Sequence, residues 1–145
     1  MPHLQFDLNI SPAPGEKARF AAAVVQHFAR IMDTGTDHIA VSLRCLAAED
    51  LTFGRALNPA RGIAFLNADL RLGRTPEQKR AFALAVIDEL QRTFAVPRES
   101  VYVIFTAHDG PDFQMHDGVL PSWSEGEDPL AKLRLSQTAP PRPVR

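Results

Sequence analysis

Shifted by 62 residues, this chain aligns with itself. Residues 4–43 fall on 66–105 without a gap. Identities include Leu8/Leu70, Pro14/Pro76, Lys17/Lys79, Phe20/Phe82, Ala21/Ala83, Ala23/Ala85, Val24/Val86, Arg30/Arg92 and Val41/Val103. Val25/Ile87, Phe28/Leu90, Asp37/Glu99 and Ile39/Val101 are conservative pairs in the same register. A duplication that keeps the phase of its apolar residues demands that both halves fold alike. Whatever the first half forms, the second must repeat.

Each half reads strand, helix, strand. Leu4, Phe6 and Leu8 alternate with His3, Gln5 and Asp7, the period of a half-buried strand. From about Pro14 to Met32, Phe20, Val24, Phe28 and Ile31 recur at helical spacing and give one apolar face. Residues 38–45 form a second strand. The second half predicts a strand over 62–70, a helix over 76–94 and a strand over 100–106. Thr75-Pro76-Glu77-Gln78 is a helix start: Thr75 caps, Pro76 takes the first helical position and Gln78 can close a capping box. The expected fold is α+β: a tandem β-α-β repeat forming a four-stranded sheet with two helices on one face. The strands at 62–70 and 100–106 carry apolar residues in both phases, which calls for cover on the second face as well. Oligomerisation is the economical cover. Residues 46–60 read as a loop or irregular insertion, and 107–130 as turn-rich. One domain is expected over 1–130, with halves at about 2–45 and 62–107. The Pro-rich segment 131–145 is expected to be extended or disordered.

Composition narrows the function. The formal net charge is -1, which gives no basis for a sequence-independent grip on nucleic acid. No apolar run approaches the ~20 residues of a membrane span, and the start lacks the pattern of a signal peptide. A cytoplasmic protein without nucleic-acid or membrane partners is the simplest expectation. Cys45 is the only cysteine, so an internal disulfide and all-cysteine metal sites are excluded. Positive charge comes from 13 Arg and 3 Lys, a bias that suits planar carboxylates.

Pro2 is the residue with the most distinctive chemistry. A small second residue permits removal of the initiator Met1. The chain would then begin with a proline whose free secondary amine can act as base or nucleophile; an internal proline nitrogen does neither. A chain α-amino group titrates near ~7.7–8.0, and burial beside cations lowers that value. An amine near neutrality suits proton abstraction beside a carbonyl. If it stays protonated, it acts as an acid instead.

These features together resemble the tautomerase superfamily: a proline after the initiator Met at the head of a strand, and a duplicated β-α-β architecture over roughly residues 2–123. The opening Met1-Pro2-His3-Leu4-Gln5-Phe6-Asp7-Leu8 is similar to that of malonate semialdehyde decarboxylases. Asp37-His38-Ile39-Ala40-Val41 and the run from Val96 to Val103 resemble strand entries of macrophage migration inhibitory factor. Arg71-x-x-Arg74 resembles the arginine pair of cis-3-chloroacrylic acid dehalogenases. The resemblance implies a homotrimer with active sites at subunit boundaries, cofactor-independent chemistry and a small carboxylic-acid substrate. The chain also departs from these patterns. Thr34 stands near the place of the inhibitory factor's lysine. Ile104 replaces the dehalogenase tyrosine, and Asp117 is the available substitute for its glutamate. His27 lies about one turn too early to match the dehalogenase histidine. The decarboxylase aspartate aligns with Asp37, and only Arg74 matches its arginines.

Arg71 and Arg74 straddle the turn before the second helix, whose free N–H groups add to a carboxylate receptor. The alternative is a pair of solvated turn arginines. Asp37, before the second strand, could activate water or steady a protonated Pro2; otherwise it is a turn residue. Phe105, Phe113 and Trp123 are candidates for an apolar pocket wall, and Tyr102 for core or interface. His27, at the edge of an apolar helix face, reads as a packed or boundary histidine, and Cys45 as a small buried hydrophobe. His108, Asp109, Asp112, His116 and Asp117 match no established ligand spacing, so they read as a polar loop and no metal is expected. The expected activity is keto-enol tautomerisation of small 2-keto or enol acids. The rivals are a hydratase, decarboxylase or dehalogenase of three-carbon acids with Pro2 as acid, and an interaction protein on the same scaffold.

Overall fold

A computed structural model describes residues 2–120. The proposed tail 131–145 and Trp123 lie outside the described residues. The chain runs β1 (His3–Leu8), α1 (Glu16–Ile31), β2 (Ala40–Cys45), β3 (Ala64–Arg71), α2 (Pro76–Phe94) and β4 (Val101–His108). Strand order is β2-β1-β3-β4. β1 pairs parallel with β2, and β3 with β4, while β1 and β3 meet antiparallel at the centre. Each β-α-β half is thus one parallel pair joined by a helix, and the two halves join back to back.

The 62-residue shift carries each element of the first half onto one of the second. α2 has the expected bounds, and its capping box is complete: the Gln78 amide donates to Thr75 Oγ1 at 3.1 Å, and the Thr75 amide to Gln78 Oε1 at 3.0 Å. α1 starts at Glu16 rather than Pro14 because Gly15 adopts a left-handed conformation (φ 83°) and breaks the first turn. β4 runs on to His108, two residues beyond the expected end. His108 therefore belongs to the sheet and not to a polar loop. The turn-rich stretch that follows contains a small hairpin, β5 (Gln114–Met115) with β6 (Gly118–Val119), too short for alternation to reveal.

The core lies between the sheet and the helices. Leu4, Phe6 and Leu8 alternate inward from β1, as do Leu66, Ala68 and Leu70 from β3. Phe20, Val24 and Phe28 of α1 meet Phe82, Val86 and Leu90 of α2. The rings pack edge-on, Phe6 to Phe20 at 5.0 Å and Phe28 to Phe82 at 5.1 Å. Burying one such side chain stabilises the fold by about 1.5–3 kcal/mol. Among the described residues no helix is long and apolar enough to cross a membrane.

His27 and Glu89 occupy equivalent places, 62 residues apart, and meet where the helices cross. His27 Nε2–H donates to Glu89 Oε1 at 2.9 Å, while Arg30 Nη2 donates to His27 Nδ1 at 3.1 Å. Arg92, the counterpart of Arg30, pairs with Glu89 and neutralises its buried carboxylate. Burial, with Arg30 and Arg92 close by, holds the imidazole's pKa below its ordinary 6.5, and Asp88 pulls the other way. His27 is thus packed between the helices, as expected from sequence, and its surroundings favour the neutral ring.

The other sheet face is only partly apolar. Phe65 and Tyr102 point outward at one end, with Ile104 beside them. The 46–63 insertion folds Phe53 onto that end, its ring 6.1 Å from Phe65 and 5.7 Å from Tyr102. A hollow of about 430 Å³ remains there, bounded also by Gln5, Asp7 and Asn67. The rest of this face is polar, because its outward positions on β1 and β3 are His3, Gln5, Asp7, Asn67 and Asp69.

Candidate functional site at the Pro2 end of the sheet

Strand directions gather the first residues of β1 and β2 and the last of β3 and β4 at one end of the sheet. Pro2 is buried there, its carbonyl accepting the Ala40 amide at 3.1 Å. His3 stands opposite Asp69, so by continuation Pro2 comes level with Leu70, one residue from Arg71. Arg71 ends β3 and is 1% exposed, the largest fully buried side chain of the described residues. Arg74 is 7% exposed. Neither is a solvated turn arginine. Gly73 (φ 112°) makes the turn between them in a conformation that a side chain would strain.

Arg74 also has a structural duty. Its Nη1 donates to the Met32 carbonyl at 2.7 Å, and Gln78 Nε2 reaches the Ile31 carbonyl at 3.4 Å. Both bonds satisfy the C-terminal carbonyls of α1, and the guanidinium complements the negative end of that helix. The start of α2 is thereby tied to the end of α1, which fixes Arg74 rigidly.

The other candidates divide. Asp37 is exposed in the turn before β2, where the Ile39 amide bonds the Thr36 carbonyl; Ile39 is level with Pro2. Phe113 is half-buried, its ring 5.7 Å from His108 and edge-on. Phe105 is not brought to this end within one chain. It faces α2, 6.4 Å from Phe82, and lines a groove along the edge strand β4. Tyr102 belongs to the aromatic end of the open face, 48% exposed. Asp117 is exposed at the tip of the β5–β6 hairpin. Among the described residues no group of three or more His, Cys, Asp or Glu side chains is placed to hold a metal ion.

Sequence reasoning passed over a row of polar side chains on the open face. His108 Nε2–H donates to Asp69 Oδ1 at 2.8 Å. His3 Nδ1 lies 3.7 Å from Asp69 Oδ2, and Ser42 Oγ is 3.4 Å from His3 Nε2. The row crosses all four strands next to Pro2 and Arg71. Alternation on β1 and β3 already put His3 and Asp69 on one face; their meeting depends on strand order, which alternation does not encode.

Comparison with known proteins gives the same picture. Residues 65–120 match the family model described as Tautomerase enzyme. The fold is that of the tautomerase superfamily. Macrophage migration inhibitory factor from Toxoplasma gondii is 16% identical, with a TM-score of 0.71 over 81% of this chain and 99% of that one. The F6 fused 4-OT wild-type asymmetric trimer is 22% identical, with a TM-score of 0.68 over 79% of this chain and 92% of that one. Malonate semialdehyde decarboxylase, known for decarboxylase and hydratase activities, is 14% identical, with a TM-score of 0.66 over 77% and 88%. No curated protein sequence matches.

Proposed function

We propose that this protein is a cofactor-independent tautomerase of small 2-keto or enol carboxylic acids, working as a homotrimer with Pro2 as its base. The observation that carries the reading is the burial of Arg71 beside the start of β1. A buried guanidinium next to a potential terminal amine can receive a substrate carboxylate and also disfavour the protonated amine. Arg74, fixed by its bond to Met32, supplies further positive charge. With the acid anchored, the amine removes a proton beside the carbonyl and returns it at another position. The polar open face with its aromatic corner suits an assembly in which neighbouring sheets enclose it, in keeping with the trimeric fused 4-OT structures.

The mechanism requires removal of Met1, and intact mass reads that directly. Ketonisation of phenylenolpyruvate by the wild type, compared with Pro2→Ala, tests the base. Loss of a terminal general base costs about 10²–10⁴-fold in kcat; equal rates for the two proteins sink the reading. A decarboxylase or hydratase is favoured by one observation, the Asp37 turn abutting the Pro2 strand. In that case halogenated acrylates or malonate semialdehyde turn over faster than enol acids, and Asp37→Asn abolishes that turnover alone.

A further inference from the structure

Asp69 and His108 form an oriented carboxylate–imidazole pair that the proposed reaction has not yet used. His108 gives its Nε2–H to Asp69 at 2.8 Å, which leaves Nδ1 as the nitrogen free to exchange a proton. Phe113 meets the ring edge-on and limits its rotation. The pair is accessible, with His108 34% and Asp69 27% exposed at the side chain. In register, His108 lies directly opposite Arg71, while Pro2 falls on the other side of β3. Neighbouring strands are about 4.8 Å apart. A small acid whose carboxylate sits at Arg71 therefore has the amine on one flank and the imidazole on the other.

We propose that His108 is a second acid–base residue of this site, facing the substrate's carbonyl oxygen, with Asp69 and His3 as its positioning residues. The proposal rests on the tautomerase reading. In enolisation, the C3–H bond breaks and its proton passes to the Pro2 nitrogen. The released electron pair forms the C2–C3 double bond. The carbonyl π pair takes a proton from Nδ1–H of the His108 imidazolium, and the oxygen becomes the enol hydroxyl. Ketonisation runs the same transfers backwards, and exchange with water resets both groups. Asp69 keeps Nδ1 aimed outward by holding the other ring nitrogen, the part a carboxylate plays for a catalytic imidazole. His3 Nδ1 lies 3.7 Å from the second Asp69 oxygen, and Ser42 Oγ is 3.4 Å from His3 Nε2, so polar groups flank the carboxylate on its other side.

The test is ketonisation kinetics on full-length wild type, Pro2→Ala, His108→Gln, His108→Ala and Asp69→Asn, each first checked for an unchanged thermal midpoint. His108→Gln is expected to lower kcat about 10²–10⁴-fold with KM nearly unchanged. Asp69→Asn is expected to fall between it and wild type. Added imidazole is expected to restore part of the His108→Ala rate, which a packing role would not produce. Wild-type kcat in His108→Gln while Pro2→Ala is dead overturns the His108 role and leaves the tautomerase reading standing. A parallel loss in both variants that imidazole does not rescue, with KM raised, also overturns it, because His108 is then a structural support. Absence of any Pro2-dependent ketonisation overturns both.

Discussion

Asp7 and Asp69 hold the same place in the two halves, 62 residues apart, yet their surroundings differ. Asp7 is locked in a forked pair with Arg44, at 2.7 and 3.1 Å. That hydrogen bond pushes the arginine's pKa up, so the charged form of Arg44 is the one the pair favours. Asp69 lies between two histidines, accepting from His108 at 2.8 Å with His3 Nδ1 3.7 Å from its other oxygen. The contrast extends along both ends of the open face. His3 and Ser42 at the Pro2 end correspond to Phe65 and Ile104 at the other, and Arg71 corresponds to Asn9. Asn9 bonds the Ile63 amide at 2.6 Å and thereby closes the backbone ahead of Ala64. Duplication supplied one scaffold twice. One end became a hydrogen-bonded seam with an aromatic corner, and the other kept buried charge and titratable groups.

If the halves share a core and differ only at their ends, removing equivalent core rings must cost the same. Phe20→Ala and Phe82→Ala, both taken from fully buried positions, are each expected to lose about 3–5 kcal/mol of stability in urea unfolding. A large disparity between them would break the symmetry claim, since it would show one half carrying the fold. The comparison sharpens at the ends with Arg71→Asn, which installs the residue found at the equivalent place. Losing the charged partner of a bound carboxylate is expected to cost about 2–4 kcal/mol in kcat/KM, roughly 30–1,000-fold. Steady-state kinetics on an enol acid reads it, with the urea midpoint as the control for folding. The reciprocal Asn9→Arg is expected to create no second site, because Ala64 is inside the chain and offers no amine.

Much of this division was legible in the sequence, for identifiable reasons. The repeat fixed which elements must match, and the apolar phases of Phe20, Val24 and Phe28 and of Phe82, Val86 and Leu90 fixed the helix faces. Thr75 and Gln78 marked the start of α2 because a capping box is purely local chemistry. Arg71 and Arg74 could be read as a pair at the turn between β3 and α2 because both flank the local helix start at Thr75. What stayed hidden depends on contacts across strands. His108 looked like loop because Asp109 and Gly110 follow it, and only its pairing with Arg71 shows it ending a strand. Phe105 faces α2 by its phase in β4 and lines the groove along that edge strand, away from the Pro2 end of its own chain. The second duty of Arg74 came from the approach of two helix ends, which no local pattern announces.

The smallest expected effect lies on the axis that relates the halves. At His27 and Glu89 the repeat places a base opposite an acid, and the two helices touch there through equivalent residues. His27 is neutral in the native state because burial, Arg30 and Arg92 lower its pKa, while in the unfolded chain it titrates near its ordinary value of 6.5. As pH falls through that value, the unfolded chain binds a proton more readily than the native state does, so stability declines; above it the contribution is fully present. His27→Gln keeps a donor for Glu89 but cannot titrate. Urea midpoints measured from about pH 8 to about pH 5 should therefore fall less steeply for the variant than for wild type. The groups facing the imidazole from both helices, Arg30, Asp88, Glu89 and Arg92, remain in each protein and cancel in the difference. Parallel pH profiles would mean that His27 takes up its proton natively, and that the helix junction tolerates a charge where the structure places a neutral ring.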